Sequence, residues 1–373
     1  MRLRGDRTRA LVRRLHLWLG LSLGLLLVLL GLTGSVLVFY PEIDALLHPE
    51  IRAEARVPAD WDRALDTVRR AYPDKNGPWR FEVTDAHGAI PARYYDPPER
   101  ASRAFAPMMV WLSPDGEQVL RRDYWGEYAM TFIYDLHYRL LLGKAGALVL
   151  GYAGLALLVL LVSGLWAWWP RGQWSKALRF KRGSDPIRQY RDWHKLAGLW
   201  TLPLLMMLTL TGVMLELPQE SDAVLGATLG RLDALPAPPR NMRPQGAHIP
   251  VSRAIAIGQQ TLPKARLAWI ETPGANGGFF RLRMGQPGDP SHRFPHSFVW
   301  IDPSSGAVAA TFDSGTSGTS TTINNWVHPL HDGSAAGLPG RILICLIGLI
   351  PTLLLATGYA RWRLRRQHRL AKA

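Results

Sequence analysis

The stretch "RDWHKLAGLWTLPLLMMLTLTGVML", residues 191–215, sets His194 at the head of an apolar run. Residues 13–37, "RRLHLWLGLSLGLLLVLLGLTGSVL", do the same with His16. When His16 is laid on His194, Arg13 meets Arg191 three residues before, and Gly20 meets Gly198 four residues after. Thr33-Gly34 meets Thr211-Gly212 seventeen and eighteen residues after. The two segments read as copies of one helix, and a repeat of this kind decides the architecture before any single element is assigned.

A second pair aligns without a gap over thirty-four positions, "YDLHYRLLLGKAGALVLGYAG" from residue 134 against "HPLHDGSAAGLPGRILICLIG" from residue 328. His137 falls on His331, Gly143 and Gly146 on Gly337 and Gly340, and Gly154 on Gly348. Ser163-Gly164 falls on Thr357-Gly358, Trp168 on Trp362 and Arg171 on Arg365. Between the helices, "PMMVWLSPDGEQVLRRDY" resembles "HSFVWIDPSSGAVAATFD", and each reads as a hairpin. Each follows a short helical pattern ended by proline, "DRALDTVRRAYP" and "VSRAIAIGQQTLP".

Four runs, Leu15–Tyr40, Ala147–Trp169, Leu196–Leu217 and Ile342–Trp362, approach or reach the ~20 residues that cross a ~30 Å hydrocarbon core. The first is too long for a signal-peptide core and no small-x-small site follows it, so it reads as a retained helix. The formal net charge of +15 would point to nucleic acid in a soluble protein. Here segments 1–14, 170–195 and 361–373 hold 20 of the 44 Lys and Arg, with only Asp6, Asp185 and Asp192 as acids. The long loops 41–136 and 218–330 are together slightly acidic. This is the positive-inside pattern, which puts both termini in the cytoplasm and both long loops outside, and it excludes nucleic acid as a partner.

The expected fold is therefore an integral membrane α-helical protein with four transmembrane helices, a tandem duplication carrying two periplasmic α+β modules. Residues 1–14 are a basic cytoplasmic start, 15–40 the first span, 41–134 the first module and 135–169 the second span. Residues 170–193 are a cytoplasmic loop, 194–217 the third span, 218–327 the second module, 328–362 the fourth span and 363–373 a cytoplasmic tail. The halves share one orientation, so a pseudo-two-fold axis along the membrane normal is expected.

That axis explains the histidines. It brings His16 and His194 to one depth at the cytoplasmic side, and His137 and His331 to one depth at the exterior side. Two facing imidazoles without C-x-x-C-H are the axial ligand set of a non-covalent b-type haem, so two bis-histidine haems are expected. The nearby glycines would let a flat macrocycle approach, or would serve helix packing. A zinc or copper site suits two nitrogens per level poorly.

His328, three residues before His331 and matched by Tyr134, is the alternative fourth ligand. Pro329 is expected to interrupt a helix through both positions. Arg139 and Arg341 are candidate propionate contacts, or snorkelling interfacial side chains. Trp166, Trp168 and Trp169 read as an interfacial belt. His87, His248, His292, His296 and His368 read as surface residues. His137 precedes its apolar run by about ten residues, roughly 15 Å of helix; a tilt, or a kink at Gly143–Gly146, would narrow the gap between haems. Cys345 is the single cysteine, so no disulfide forms within the chain, and no glycine fingerprint of a nucleotide-binding loop is present.

The motifs "RRLHLWLGL…LTG", "DLHYRLLLGKAG…SGLWAWWPR", "RDWHKLAGLW…LTGVML" and "LHDGSAAGLPGRIL…TGYARW" resemble the PepSY-associated transmembrane family over essentially the whole chain. The resemblance implies PepSY-like outer modules and two haems. It also implies a bacterial inner-membrane location and the activity of a ferric-siderophore reductase, with a ferric siderophore or other ferric chelate outside and an electron donor inside or in the bilayer. The iron substrate rests on the resemblance alone. The rival readings are a transporter subunit for iron or siderophore, and a non-enzymatic binding or regulatory module anchored by four helices. Intramembrane carboxylates or broken helices would favour the transporter.

Overall fold

A computed structural model describes residues 2–52, 58–84, 88–103, 105–170, 172–237 and 248–371, with residues 2–6 described by their backbone. The helices in chain order are α1 (Arg2–Leu37), α2 (Tyr40–Leu47), α3 (Trp61–Ala71), α4 (Ala129–Arg139), α5 (Gly143–Trp168) and α6 (Trp174–Ala177). They continue with α7 (Pro186–Glu216), α8 (Pro218–Leu229), α9 (Val251–Thr261), α10 (Thr319–Asp332) and α11 (Gly337–Leu370). The strands are β1 (Trp79–Glu82), β2 (Ile90–Tyr94), β3 (Met108–Leu112), β4 (Val119–Tyr124), β5 (Arg266–Glu271), β6 (Phe280–Gly285), β7 (Ser297–Ile301) and β8 (Val308–Phe312).

The chain divides into two compact units, one being Met1–Phe39, Tyr134–Ser221 and Leu330–Ala373, the other Tyr40–Ile133 and Asp222–Pro329. Among the described residues of the first unit four helices are long and apolar enough to cross a membrane: Arg7–Leu37, Gly143–Trp168, Pro186–Glu216 and Ser334–Leu370. They pack in the cyclic order α1–α5–α7–α11, so α1 lies across from α7 and α5 across from α11. Small residues let α1 and α11 meet. A Cβ on Gly31 would collide with the Gly348 carbonyl, and Ser35 Oγ donates to the Cys345 carbonyl at 2.8 Å.

These helices outrun the apolar segments. α1 reaches back into the basic start, α7 begins eight residues before His194, and α11 runs through the segment read as a tail. Arginine is a good helix former and nothing in those flanks breaks a helix. At the start of α7, Asp185 accepts from Arg188 N at 3.1 Å and Pro186 fills the first turn.

The segments expected as the second and fourth spans, 135–169 and 328–362, are each broken ahead of their apolar runs, which stay continuous in α5 and α11. α4 stops at Arg139, and Leu140, Leu141 and Gly143 take left-handed φ of 50°, 60° and 60° before α5 starts. The matching break lies between α10 and α11, with Gly333 at φ 78° and Gly337 at 61°. So Gly143 ends a break between two helices rather than kinking one. Gly146 is needed beside it, since a Cβ there would strike the Arg139 carbonyl.

In the second unit the expected hairpins are not separate. All eight strands join one antiparallel sheet in the order β4-β3-β2-β1-β5-β6-β7-β8. The two chain segments meet at β1 and β5, where Arg80 pairs with Glu271, Phe81 with Ile270 and Glu82 with Trp269. One face carries fully buried Phe81, Ala92, Val110, Ile270, Leu282 and Val299 in a single core with Ala64 and Val68 of α3 and Ala254 of α9. The other face carries arginines stacked on aromatics, with Arg80 4.4 Å and Arg93 4.9 Å from the Trp269 ring. α3 and α9 start where the sequence places them. Asp60 caps α3 through Arg63 N at 3.0 Å, and Asp62 of α3 accepts from the first amides of α9.

Candidate functional site

His16 of α1 and His194 of α7 face each other with ring centroids 6.1 Å apart. Each ring is held through Nδ1 by the neighbouring helix. His16 Nδ1 lies 3.1 Å from the Leu160 carbonyl and 3.2 Å from Ser163 Oγ. His194 Nδ1 lies 2.9 Å from the Leu354 carbonyl and 3.3 Å from Thr357 Oγ1. A carbonyl oxygen only accepts, so Nδ1 carries the proton in both rings and Nε2 keeps its lone pair.

His137 and His331 form the second facing pair, 6.2 Å between centroids. Thr33 Oγ1 and Thr211 Oγ1 each lie 2.9 Å from the partner Nδ1. Both hydroxyls spend their proton on their own helix, on the Leu29 carbonyl at 2.7 Å and the Met207 carbonyl at 2.8 Å. They are left as acceptors for Nδ1–H. All four rings thus sit on a Ser/Thr-Gly dipeptide of a neighbouring helix. The glycine makes room: a Cβ on Gly164 would lie 2.8 Å from His16 Cε1, and one on Gly34 3.1 Å from His137 Cε1. Gly212 and Gly358 stand likewise at 3.3 Å from His331 and 3.4 Å from His194. These glycines admit the imidazole, whereas Gly20 and Gly198 line open space beside the first pair.

The spacing fits a metal between the rings. Two imidazoles ligating one ion from opposite sides through Nε2, with bonds of about 2.0–2.1 Å and about 1.1 Å from nitrogen to centroid, have centroids about 6.3 Å apart. A direct N–H···N hydrogen bond of about 2.9 Å would draw them to about 5.1 Å. Among the described residues no three His, Cys, Asp or Glu side chains converge as metal ligands, so each site offers two nitrogens. Around His16 and His194 a cavity of about 1230 Å³ opens between the helices. It admits a group far larger than an ion. The two levels are seventeen residues apart on α1, from His16 to Thr33, or about 25 Å of helix.

Residues 13–365 match the model of the PepSY-associated TM region. The chain belongs to this family. No match is found among curated proteins. For this PepSY-associated protein the break after α4 revises the placing of His137. That residue packs at the level of Thr33-Gly34 in α1, inside the helical unit, so it does not stand one long helical stretch beyond the apolar run.

Pro329 lies inside α10, so His328 and His331 share one continuous helix, against the expected interruption. Pro329 is buried, and its packing offsets the one ladder bond it cannot donate. Both histidines are three apart on that helix, yet His331 faces His137 while the His328 ring packs edge-on to Phe294 at 5.7 Å. Arg341 donates through Nε and Nη2 to the Val38 carbonyl at 3.1 and 2.7 Å, closing the end of α1, and Arg139 lies over the Tyr138 ring at 4.9 Å. Trp168 and Trp169 cluster on Trp174, and Trp166 is exposed. His296 pairs with buried Asp289 at 3.2 Å, so it is tied into the sheet unit; His368 is exposed, and His87 lies outside the described residues. Reading the sequence missed the hydroxyls of Thr33, Ser163, Thr211 and Thr357 as histidine partners. Their signal was present as four Ser/Thr-Gly dipeptides at matched positions in the repeats.

Proposed function

We propose that this PepSY-associated membrane protein is a di-haem electron-transfer protein of the bacterial inner membrane that reduces ferric iron, as a siderophore or another chelate, on the outer side. The observation that carries the reading is the pairing itself. At two levels, two imidazoles stand at metal-bridging distance with Nδ1 tied down by a neighbouring helix. A haem held this way supplies one-electron exchange without proton chemistry. The protein's own part is to fix ring orientation and tautomer, to raise ligand basicity through the Nδ1–H bonds, and to keep water out.

The positive-inside charge pattern supports placing His16 and His194 near the cytoplasm, where a one-electron donor is reached, and His137 and His331 near the outside. The tandem-duplicate reading is supported by the cyclic helix order, by the matched chain breaks and by the four repeated dipeptides. Each ferric ion takes one electron, and its release follows because Fe(II) is held less tightly by hard oxygen ligands.

The test is vectorial. Proteoliposomes loaded with a reductant and given an external ferric chelate should form external Fe(II), and His16→Ala and His331→Ala should each stop it. External Fe(II) at the unsubstituted rate in both variants would contradict the proposal.

A further inference from the structure

We propose that Arg361 binds the carboxylate groups of the macrocycle held by His16 and His194 and so fixes which way round it sits. The inference rests on the haem reading of that pair. Among the described residues the cavity around these histidines is lined by twelve Lys and Arg and by no Asp or Glu. Arg361 is half-buried, and its Nε is buried and has no hydrogen-bond partner. It is within electrostatic reach of the His194 ring. It lies three residues past Gly358, about one turn or 4.5 Å of helix from the glycine under that ring.

Charged groups near Arg361 include Arg365, Arg191, Arg13 and the acid Asp192. Asp192 is already held by Arg191 at 3.1 Å and Lys195 at 3.2 Å, with Arg188 at 3.9 Å. A half-buried cation with a buried, unpartnered Nε among like charges, with the nearby acid Asp192 already engaged, calls for an anion in the cavity. The guanidinium fork matches a carboxylate, and a b-type haem carries two.

The repeat makes the assignment one-sided. Arg13 has Arg191 as its copy and Trp168 has Trp362, but the copy of Arg361 is Ala167, which also lines the cavity. Imidazoles and glycines are therefore shared by both halves, while the guanidinium at this position comes from α11 alone. A near-symmetric pocket offers the macrocycle two nearly equal seatings, and Arg361 removes that degeneracy.

The test uses the full chain with His331→Ala, so that one site is loaded, in nanodiscs of neutral phosphatidylcholine. Dissociation of haem and of its dimethyl ester is followed by transfer to an apo-globin. Haem should leave roughly tenfold more slowly than the ester, on the scale of outer contacts to a bound metal. Arg361→Gln should erase that difference and lower the midpoint potential of the site, and Arg361→Lys should restore part of both. The haem-against-ester comparison in the His331→Ala chain does not depend on any Arg361 variant folding. Equal release of haem and ester there, or an undiminished preference in Arg361→Gln, would overturn the inference alone. An Arg361→Gln effect seen only with phosphatidylglycerol present would assign the anion to lipid phosphate and overturn it too. No haem bound by the His331→Ala chain would overturn the haem reading and this inference together.

Discussion

Thr33 and Thr211 are ordinary helix residues by position, and only their hydroxyls distinguish them from valine. Each hydroxyl donates within its own helix and accepts from a histidine on another, so one oxygen fixes one tautomer. Thr33→Val and Thr211→Val keep shape and remove that acceptor. Each is expected to weaken haem retention at the His137–His331 pair by about 10–100-fold, while the His16–His194 pair is unchanged. Thr357→Val should cost less, because the Leu354 carbonyl still holds His194 at 2.9 Å. Haem release from each site, followed by absorbance, separates these outcomes; equal release in all three variants and the parent would show that the hydroxyls do not set the rings. At this scale the histidines were legible because the repeat doubles them. Their hydroxyl partners were marked only as repeated Ser/Thr-Gly dipeptides, and which histidine each one meets is set by inter-helix packing, which neither helix states alone.

Elements divide into those with local punctuation and those without it. α3 and α9 were read from their helical patterns, with Asp60 and Pro250 standing at their starts, whereas the first turns of α7 were read as loop although Asp185-Pro186 opens that helix. The break after α4 could not be read. Two of its left-handed residues are Leu140 and Leu141, and a leucine does not announce positive φ. The turn at Pro98–Arg100 is equally silent, yet it ties the sheet unit together through Glu99. Lys75 Nζ donates to Glu99 at 2.7 Å and Tyr124 donates from its hydroxyl at 2.5 Å. Burial acts to raise the Glu99 pKa, but these two hydrogen bonds outweigh it and pull the carboxyl down to about 2. A depressed folded-state pKa means stability that is present above the unfolded value and lost as pH falls through the folded one. The contribution is therefore full above the ordinary glutamate range and disappears between about 4.5 and 2. Apparent melting temperatures at pH 5 and pH 2.5 should fall further for the parent protein than for Glu99→Gln, and an equal fall in both would refute the linkage.

Across the whole molecule the four apolar runs, their order and the charge asymmetry were readable, because a bilayer imposes length and sign on sequence. The single sheet was not. Pairing of Phe81 with Ile270 joins residues far apart in the chain, and neither strand carries a signal for its partner. Cut apart, each segment would present β1 or β5 as an open edge with Trp79, Phe81 and Ile270 beside it. Residues 58–128 expressed alone should therefore aggregate, and co-expression with residues 248–318 should yield a soluble pair on size-exclusion chromatography. A monomeric, folded first segment would show that the β1–β5 seam is dispensable.

The haem content of the purified full-length chain, produced with haem supplied, tests the central claim most directly. Two b-type haems per chain are expected by reduced-minus-oxidised absorption and pyridine haemochrome. One should remain in His16→Ala, His194→Ala, His137→Ala and His331→Ala, and two in His328→Ala. A colourless protein, or two haems retained in any of the four single-haem variants, would contradict the account.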